Sequence, residues 1–279
     1  MILLLIFAST MLKKIINMVS LKPQKHMKKL SLLVTAMLML VAQGASAQDQ
    51  NLFNHLGVGV SVGALDGIGF EVAVPASNWA ALRVGMSFMP KVKYGFDVDI
   101  DSNDPALKDK AKMEAKLNKT DFKVLVDVYP IPKSDFRLTL GAYIGSEKLV
   151  DVYDKEPFLT NPADYGKVGI KLGDYRVSSD DQGHVQADLK VNGFKPYVGL
   201  GYGRAIPKKR LAFNFDLGVQ FWGTPGVWTN NKLDDFGRRY YGKIEKGDIK
   251  NGDADKAFDI LSKITVYPVI SFRLNGRIL

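Results

Sequence analysis

Leu211-Ala212-Phe213-Asn214-Phe215-Asp216-Leu217-Gly218-Val219-Gln220-Phe221 is the stretch that decides how this chain is read. Every odd position is apolar, and the even positions between them are small or polar. Successive side chains of a β-strand point to opposite faces, so this is one strand with a large apolar face and a small, polar one. Its 11 residues match the roughly 9 to 11 that a tilted strand needs to cross a bilayer. The pattern predicts a strand of a closed barrel with lipid on one side and a narrow lumen on the other.

The same alternation recurs on both sides of this stretch. Residues 55–63 set Leu56, Val58, Val60 and Val62 against Gly57, Gly59, Ser61 and Gly63. After a turn at residues 64–67, Ile68, Phe70, Val72 and Val74 continue the apolar face. Residues 75–78, Pro-Ala-Ser-Asn, carry turn chemistry. Trp79 then opens a third strand containing Leu82, Val84, Met86 and Phe88. Phe122, Val124, Val126 and Val128 mark a fourth strand. A turn at residues 130–135 leads to Phe136, Leu138, Leu140, Ala142 and Ile144. Val198, Leu200 and Tyr202 precede a turn at residues 205–209, and residues 266–274 supply the last strand.

Three segments separate these strands. Residues 91–120 are polar, and 105–119 have the composition of a short helix within a loop. In residues 146–193, Val168, Ile170 and Leu172, then Val185, Ala187, Leu189 and Val191, predict a β-ribbon turning at 178–183. Apolar parity changes between Val191 and Val198, which predicts a bulge near Gly193 or Pro196. Residues 223–262 are the third.

Eight spanning strands result. The predicted fold is all-β: an eight-stranded antiparallel up-and-down transmembrane β-barrel with long extracellular loops. With the N-terminus in the periplasm, the inward connections are residues 75–78, 130–135 and 205–209, all short. Of the outward connections only residues 64–67 are short. That asymmetry is the one such barrels have. A soluble, ligand-carrying barrel would put bulky apolar groups inside and charge outside. Here the minor face is Gly, Ser, Ala and Asn with few charges, which suits a lumen better than a solvent face. Trp79, Tyr129, Phe136 and Trp222 sit near strand ends, where an interfacial aromatic belt is expected.

The formal charge of +9 is unevenly placed, because residues 1–47 hold six Lys, no Arg and no acid. The remainder carries 32 basic and 29 acidic residues, too balanced for a nucleic-acid surface. Cysteine is absent, which excludes disulfides, thiolate metal sites and a Cys nucleophile. Residues 27–47 read as a signal peptide: Lys28-Lys29, an apolar run over 30–41, and Ala45-Ser46-Ala47 as the cleavage pattern. The apolar run is too short for a spanning helix. Residues 1–26 precede a complete signal and are expected to be an over-called extension, with Met27 the initiator. The barrel then occupies residues 48–279.

On these strands and turns the chain resembles the small eight-stranded outer-membrane barrels of the OmpA transmembrane-domain and OmpX type. Two features depart from that pattern. No peptidoglycan-binding module follows the last strand, and the chain finishes Arg277-Ile278-Leu279, with Leu where such proteins usually end in an aromatic residue. The resemblance implies outer-membrane lipid and the barrel-assembly machinery as partners. It implies roles in adhesion, serum resistance, envelope structure or modest permeability, without a cofactor, and leaves the extracellular ligand open.

Candidate functional residues fall into two groups. The inward face carries Glu71, Arg83, Lys123, Asp127, Arg137, Asp216 and Arg273, with Glu71 near Arg83 and Asp127 near Arg137 across their hairpins. An eight-stranded barrel has room for little beyond its own side chains, so these charges are expected to plug the lumen. The alternative is a narrow channel for ions or small solutes. The second group, Trp228, Phe236, Arg238, Arg239, Tyr240 and Tyr241, has the residue types enriched at binding hot spots. A lipid-modifying enzyme is the remote reading, and it would rest on His184 beside Ser178, Ser179 and Asp181. A turn gives such a site little support, and no catalytic residue is assigned. Asp97, Asp99, Asp101 and Asp104 are spaced like a calcium loop, but Ser102 and Lys108 stand where Gly and Glu are required. Residues 199–203, G-L-G-Y-G, lack the helix of a dinucleotide site and are expected to be inward strand glycines.

Overall fold

Alternation of the kind seen in residues 211–221 closes a sheet on itself when enough strands share it. In a computed structural model, residues 55–64, 66–101, 110–131, 133–156, 159, 161, 168–172, 175–234, 236–245, 248 and 253–278 are described. The segments expected to be an extension and a signal peptide, residues 1–26 and 27–47, lie outside them. The strands are β1 (Gly57–Gly63), β2 (Gly67–Ser77), β3 (Ala80–Asp101), β4 (Lys110–Val128), β5 (Phe136–Gly145), β6 (Lys148–Asp154) and β7 (Gly169–Leu172). They continue with β8 (Tyr175–Ser178), β9 (Gln186–Lys190), β10 (Phe194–Tyr202), β11 (Leu211–Phe221), β12 (Gly226–Leu233), β13 (Arg239–Lys243) and β14 (Val266–Arg277). One helix, α1 (Asp253–Lys263), lies between β13 and β14. Among the described residues no helix is long and apolar enough to cross a membrane.

Eight of these strands form a closed antiparallel barrel in the order β1-β2-β3-β4-β5-β10-β11-β14. The seam is β14 against β1, paired without interruption from Gly57↔Arg277 to Gly63↔Ser271. Each stave neighbours the previous one, so the topology is up-and-down, as the sequence predicts. Both chain ends of the barrel lie at the end with the short turns, the lower end; the long connections all rise from the upper end. Outward-facing apolar residues are exposed around the circumference: Val62, Phe70, Met86, Phe122, Leu200, Phe213 and Phe272 among them, with Phe213 at 84%. Their inward neighbours are buried, and β11 itself alternates in that way along most of its length.

Above the first barrel stands a second, curled sheet that the sequence reading does not contain, termed the second barrel although among the described residues no strand pairing closes it. β3 and β4 run on past the rim and become the central pair of a sheet ordered β8-β7-β3-β4-β6-β9-β12-β13. That sheet curls until β8 comes alongside β12. Its interior is apolar: Ala111, Met113, Ile170, Val177, Val185 and Ile244 are buried together, with Phe96, Val152 and Val227 against them. Residues 110–119 are therefore strand rather than helix, paired with β3 from Asp99↔Lys110 to Met89↔Lys119. Helix-forming composition loses there to alternation, because Ala111 and Met113 find a core only if the segment is extended. Residues 102–109 lie outside the described set.

The predicted ribbon is also corrected. β7 pairs with β8, the next strand in the chain, whereas β9 pairs with β6 and β12. The parity change has the same cause. β9 and β10 belong to different barrels and are separated by residues 191–193, and β10 pairs with β5 in unbroken register. No bulge is needed.

On the outer wall of the second barrel Glu114 is enclosed by three donors. Lys93 Nζ lies at 2.9 Å and Lys155 Nζ at 3.0 Å, and the Tyr153 hydroxyl donates to the same carboxylate. The Tyr153 bond, then the two ammonium groups, hold the Glu114 carboxyl at about 2. A folded-state value below the ordinary one means that this contribution to stability is full above the ordinary range and is lost as pH falls toward 2. Carboxyl-detected NMR titration is expected to find Glu114 ionised down to about pH 2, and a midpoint above about 4 would contradict the enclosure.

Candidate functional site

The lumen of the first barrel is built in layers by inward residues of successive staves. At the lower end Ala73, Ala81, Tyr129 and Ala205 pack together with Ile206 beside them, and the Ala205 amide donates to the Tyr129 hydroxyl at 2.8 Å. The segment following β10 thus folds under the barrel as a floor.

Above the floor all seven predicted lumen charges meet. Register places Arg83 opposite Ala73 and Glu71 opposite Gly85, one step apart on the same face. The guanidinium spans that step, with Nη1 at 2.9 Å from Glu71. Its Nε lies 2.8 Å from Asp127 and its Nη2 3.4 Å from Asp216. Arg137 reaches Asp216 at 2.6 Å and Asp127 at 3.5 Å, and also donates to the Gly203 carbonyl. Lys123 and Arg273 each stand 2.5 Å from Glu71. Thr139 donates to Asp127 at 2.7 Å. Four cations therefore face three carboxylates, and every one of these residues is buried. Taking an ion from water costs several kcal/mol, so shared, multiply bonded partners are what keep the group charged in so narrow a space. Gly201 makes the room: a Cβ there would lie 2.7 Å from the Arg137 guanidinium carbon.

The next layer is aromatic. Tyr143 and Tyr197 cross at 5.4 Å between ring centroids, with Leu125 and Val269 packed around them. The Tyr197 ring lies over Gly199 and Gly218, where any Cβ would collide with it. Gly199 and Gly201 are inward strand positions, as expected, whereas Gly203 lies just past the end of β10 with a positive φ of 101°.

A second charged layer closes the upper end, and the sequence reading missed it. Lys119 pairs with Asp66 at 2.6 Å and Asp121 at 3.4 Å; Lys195 pairs with Asp121 at 2.6 Å. Gln220 and the Tyr267 ring complete it, the latter 4.4 Å beneath the Lys119 ammonium. Lys119 and Asp121 share the odd, inward parity of Lys123 and were legible on that ground. Asp66 sits in a turn, where parity has no meaning.

Two of the predicted belt aromatics are inward. Tyr129 and Trp222 are buried, and the Trp222 indole donates to the Ile264 carbonyl at 2.7 Å. Each continues the inward parity of its strand, Tyr129 after Asp127 and Trp222 after Gln220, and lying at a strand end did not change its face. Trp79 is exposed and fits the belt.

The six loop residues divide between two places on the second barrel. Trp228 and Tyr241 stack on the outer wall at 5.5 Å, and the Tyr241 hydroxyl donates to Asp188 at 2.8 Å. The others occupy the β12–β13 hairpin and its far tip. Phe236 is 82% exposed, with the Arg238 guanidinium 5.2 Å over its ring. Asp234 ties the tip by accepting from the Phe236 and Arg238 amides at 3.0 and 2.8 Å, and the Arg238 amide keeps its carboxyl below the ordinary range. Arg239 pairs with Asp181 at 2.5 Å, joining this hairpin to the turn before β9, and Tyr240 is exposed beside it. His184 faces Asp154, with Nδ1 at 2.9 Å from the carboxylate. Asp181 is thus engaged with Arg239 rather than with His184.

No family model matches the sequence, and no curated protein matches it. Three solved structures are similar in outline. A crystal structure of CarO2 from Acinetobacter baumannii superposes with a TM-score of 0.43 at 18% identity, covering 80% of this chain and 98% of that one. CarO from the same organism gives 0.42 at 15% identity, covering 82% and 99%. A major outer membrane protein from Thermus thermophilus gives 0.32 at 16% identity, covering 80% and 98%. Likeness of this extent carries no assignment of activity, and the fold stands on the strand register alone.

Proposed function

We propose that this chain is a non-enzymatic outer-membrane barrel with a closed lumen, whose second barrel serves at the cell surface in binding or envelope structure. The observation that carries this reading is the reversal of ordinary burial. Phe213, Phe272, Val62 and Tyr202 are each at least 60% exposed around the outside, whereas Arg137, Asp127, Lys195 and Asp121 are fully buried within. Contiguous exposed apolar area of that kind is unstable in water and suits a hydrocarbon surround. β11 supplies the 11 residues that such a crossing takes. The short-turn end then faces the periplasm and the second barrel faces outward. Export by a cleaved signal peptide and insertion by the barrel-assembly machinery belong to the same proposal.

Closure of the lumen follows from two charged layers separated by an aromatic one. A permeating ion would have to part several shared ion pairs at once. Refolded protein in planar bilayers is expected to give no discrete conductance steps, and well-defined single-channel openings would overturn the closed lumen. Heat-modifiable migration on SDS gels, lost on boiling, is the expected behaviour of the barrel itself.

A further inference from the structure

Immediately above the apolar belt the second barrel carries a cleft of about 420 Å³ on its outer wall, lined in part by Lys190, Lys243, Trp228, Gly226, Asn192 and Glu147. We infer that this cleft holds the phosphate of a lipid headgroup in the outer leaflet. The inference rests on the membrane reading above.

Position is the first argument. Asn192 lies two residues before Phe194, and Glu147 three residues after Ile144. Phe194 and Ile144 pair across β10 and β5 at the top of the belt, and both are exposed. A strand rises about 3.3 Å per residue, so the cleft stands within one headgroup of the last lipid-facing side chains.

Chemistry is the second. Lys190 Nζ sits 5.2 Å from the Trp228 ring and 4.5 Å from the Tyr241 ring. Among the described residues those two rings hold it and no carboxylate does. Lys243 lies along the surface that Gly226 leaves open: a Cβ there would fall 2.8 Å from Lys243 Cε and 3.4 Å from Trp228 Nε1. The Lys243 ammonium is only loosely attached to Glu245, at 3.9 Å. Two lysines and a tryptophan therefore line one cleft, and among the described residues lining it Glu147 is the one carboxylate. The nearby Asp188 is already taken by Tyr241 and by Lys148 at 2.8 Å. Charge-assisted bonds to phosphate oxygens are the strong ones, and an indole at a membrane interface presents its apolar face to acyl chains and its N–H to headgroups.

The test is native mass spectrometry of the purified protein in detergent micelles with bisphosphorylated lipid A, its phosphate-free counterpart, and inorganic phosphate. Wild type is expected to retain the phosphorylated lipid. Lys190→Gln combined with Lys243→Gln is expected to retain at least about ten-fold less, as the loss of two charge-assisted contacts implies. Lys190→Arg is expected to keep binding. Equal retention by the double variant would overturn the inference, as would equal retention of the phosphate-free lipid. Displacement of the lipid by millimolar inorganic phosphate would also overturn it, by making the cleft a free-anion site. Both residues are on the surface, so the variants are expected to keep heat-modifiable migration. Its loss in the wild type as well would instead strike at the barrel reading.

Discussion

Replacing Arg83 by Met is expected to lower the stability of the barrel by about 3–5 kcal/mol, the cost of stranding buried partners of an ion pair. Arg83 is the one cation that touches Glu71, Asp127 and Asp216 together. Glu71 keeps Lys123 and Arg273, but Asp127 is left with Arg137 at 3.5 Å and the Thr139 hydroxyl. Methionine fills much of the same volume, so the loss is electrostatic rather than a cavity. Reversible urea unfolding in detergent micelles would show it as a lower midpoint at unchanged slope. Adding Asp127→Asn should return part of the loss, because the two sites share one network and their effects do not add. A loss below about 1 kcal/mol, the scale of water-exposed ion pairs, would mean that the lumen is wet and the plug does not exist.

The second large effect is on the opposite face of the same staves. Leu217 lies near the middle of β11, 45% exposed, between Phe215 and Val219 on the outer side. Leu217→Arg is expected to cost about 2–4 kcal/mol in a bilayer, the penalty for a cation at the hydrocarbon midplane of a barrel. In the same assay Phe236→Arg, at the far hairpin tip, should cost no more than about 1 kcal/mol, the worth of its exposed contact with Arg238, although Phe236 is the more exposed of the two. If both substitutions were neutral in vesicles the outer belt would not be in lipid. Exposure is equal grounds for suspicion at both sites; only the surrounding medium separates them.

The lower barrel was legible because its staves obey a period of two with apolar residues on one face throughout. Alternation also determines which charges meet, which is why Glu71, Arg83, Asp127 and Arg137 could be paired from hairpin geometry. The second barrel was hidden by two effects. Residues 110–117, K-A-K-M-E-A-K-L, alternate as strictly as β11 does, but lysine, alanine and glutamate favour helices in isolation. The competing term is a partner strand and a core, neither of which is local. β7 and β8 have four residues each, too few for a pattern to name a partner. Residues 168–172 and 185–191 therefore looked like the two arms of one ribbon, when β7 pairs with β3 and β8, and β9 with β6 and β12. The cleft at Lys190 was illegible for the same reason, since its walls come from β9, β12 and β13.

β12 climbs eight residues from Gly226 to Leu233 before the hairpin turns, which carries the Phe236 tip about 25 Å along the strand from its base. At physiological ionic strength a fixed charge is felt over only about 8 Å. With the barrel in the outer membrane as proposed, Arg238 and Arg239 would meet an incoming molecule outside the electrostatic reach of the bilayer, and Lys190 and Lys243 would sit inside it. The two ends of one hairpin should answer differently to salt. Encounters at the tip are governed by the protein's own field, and those at the base by the charge density of the lipids around it.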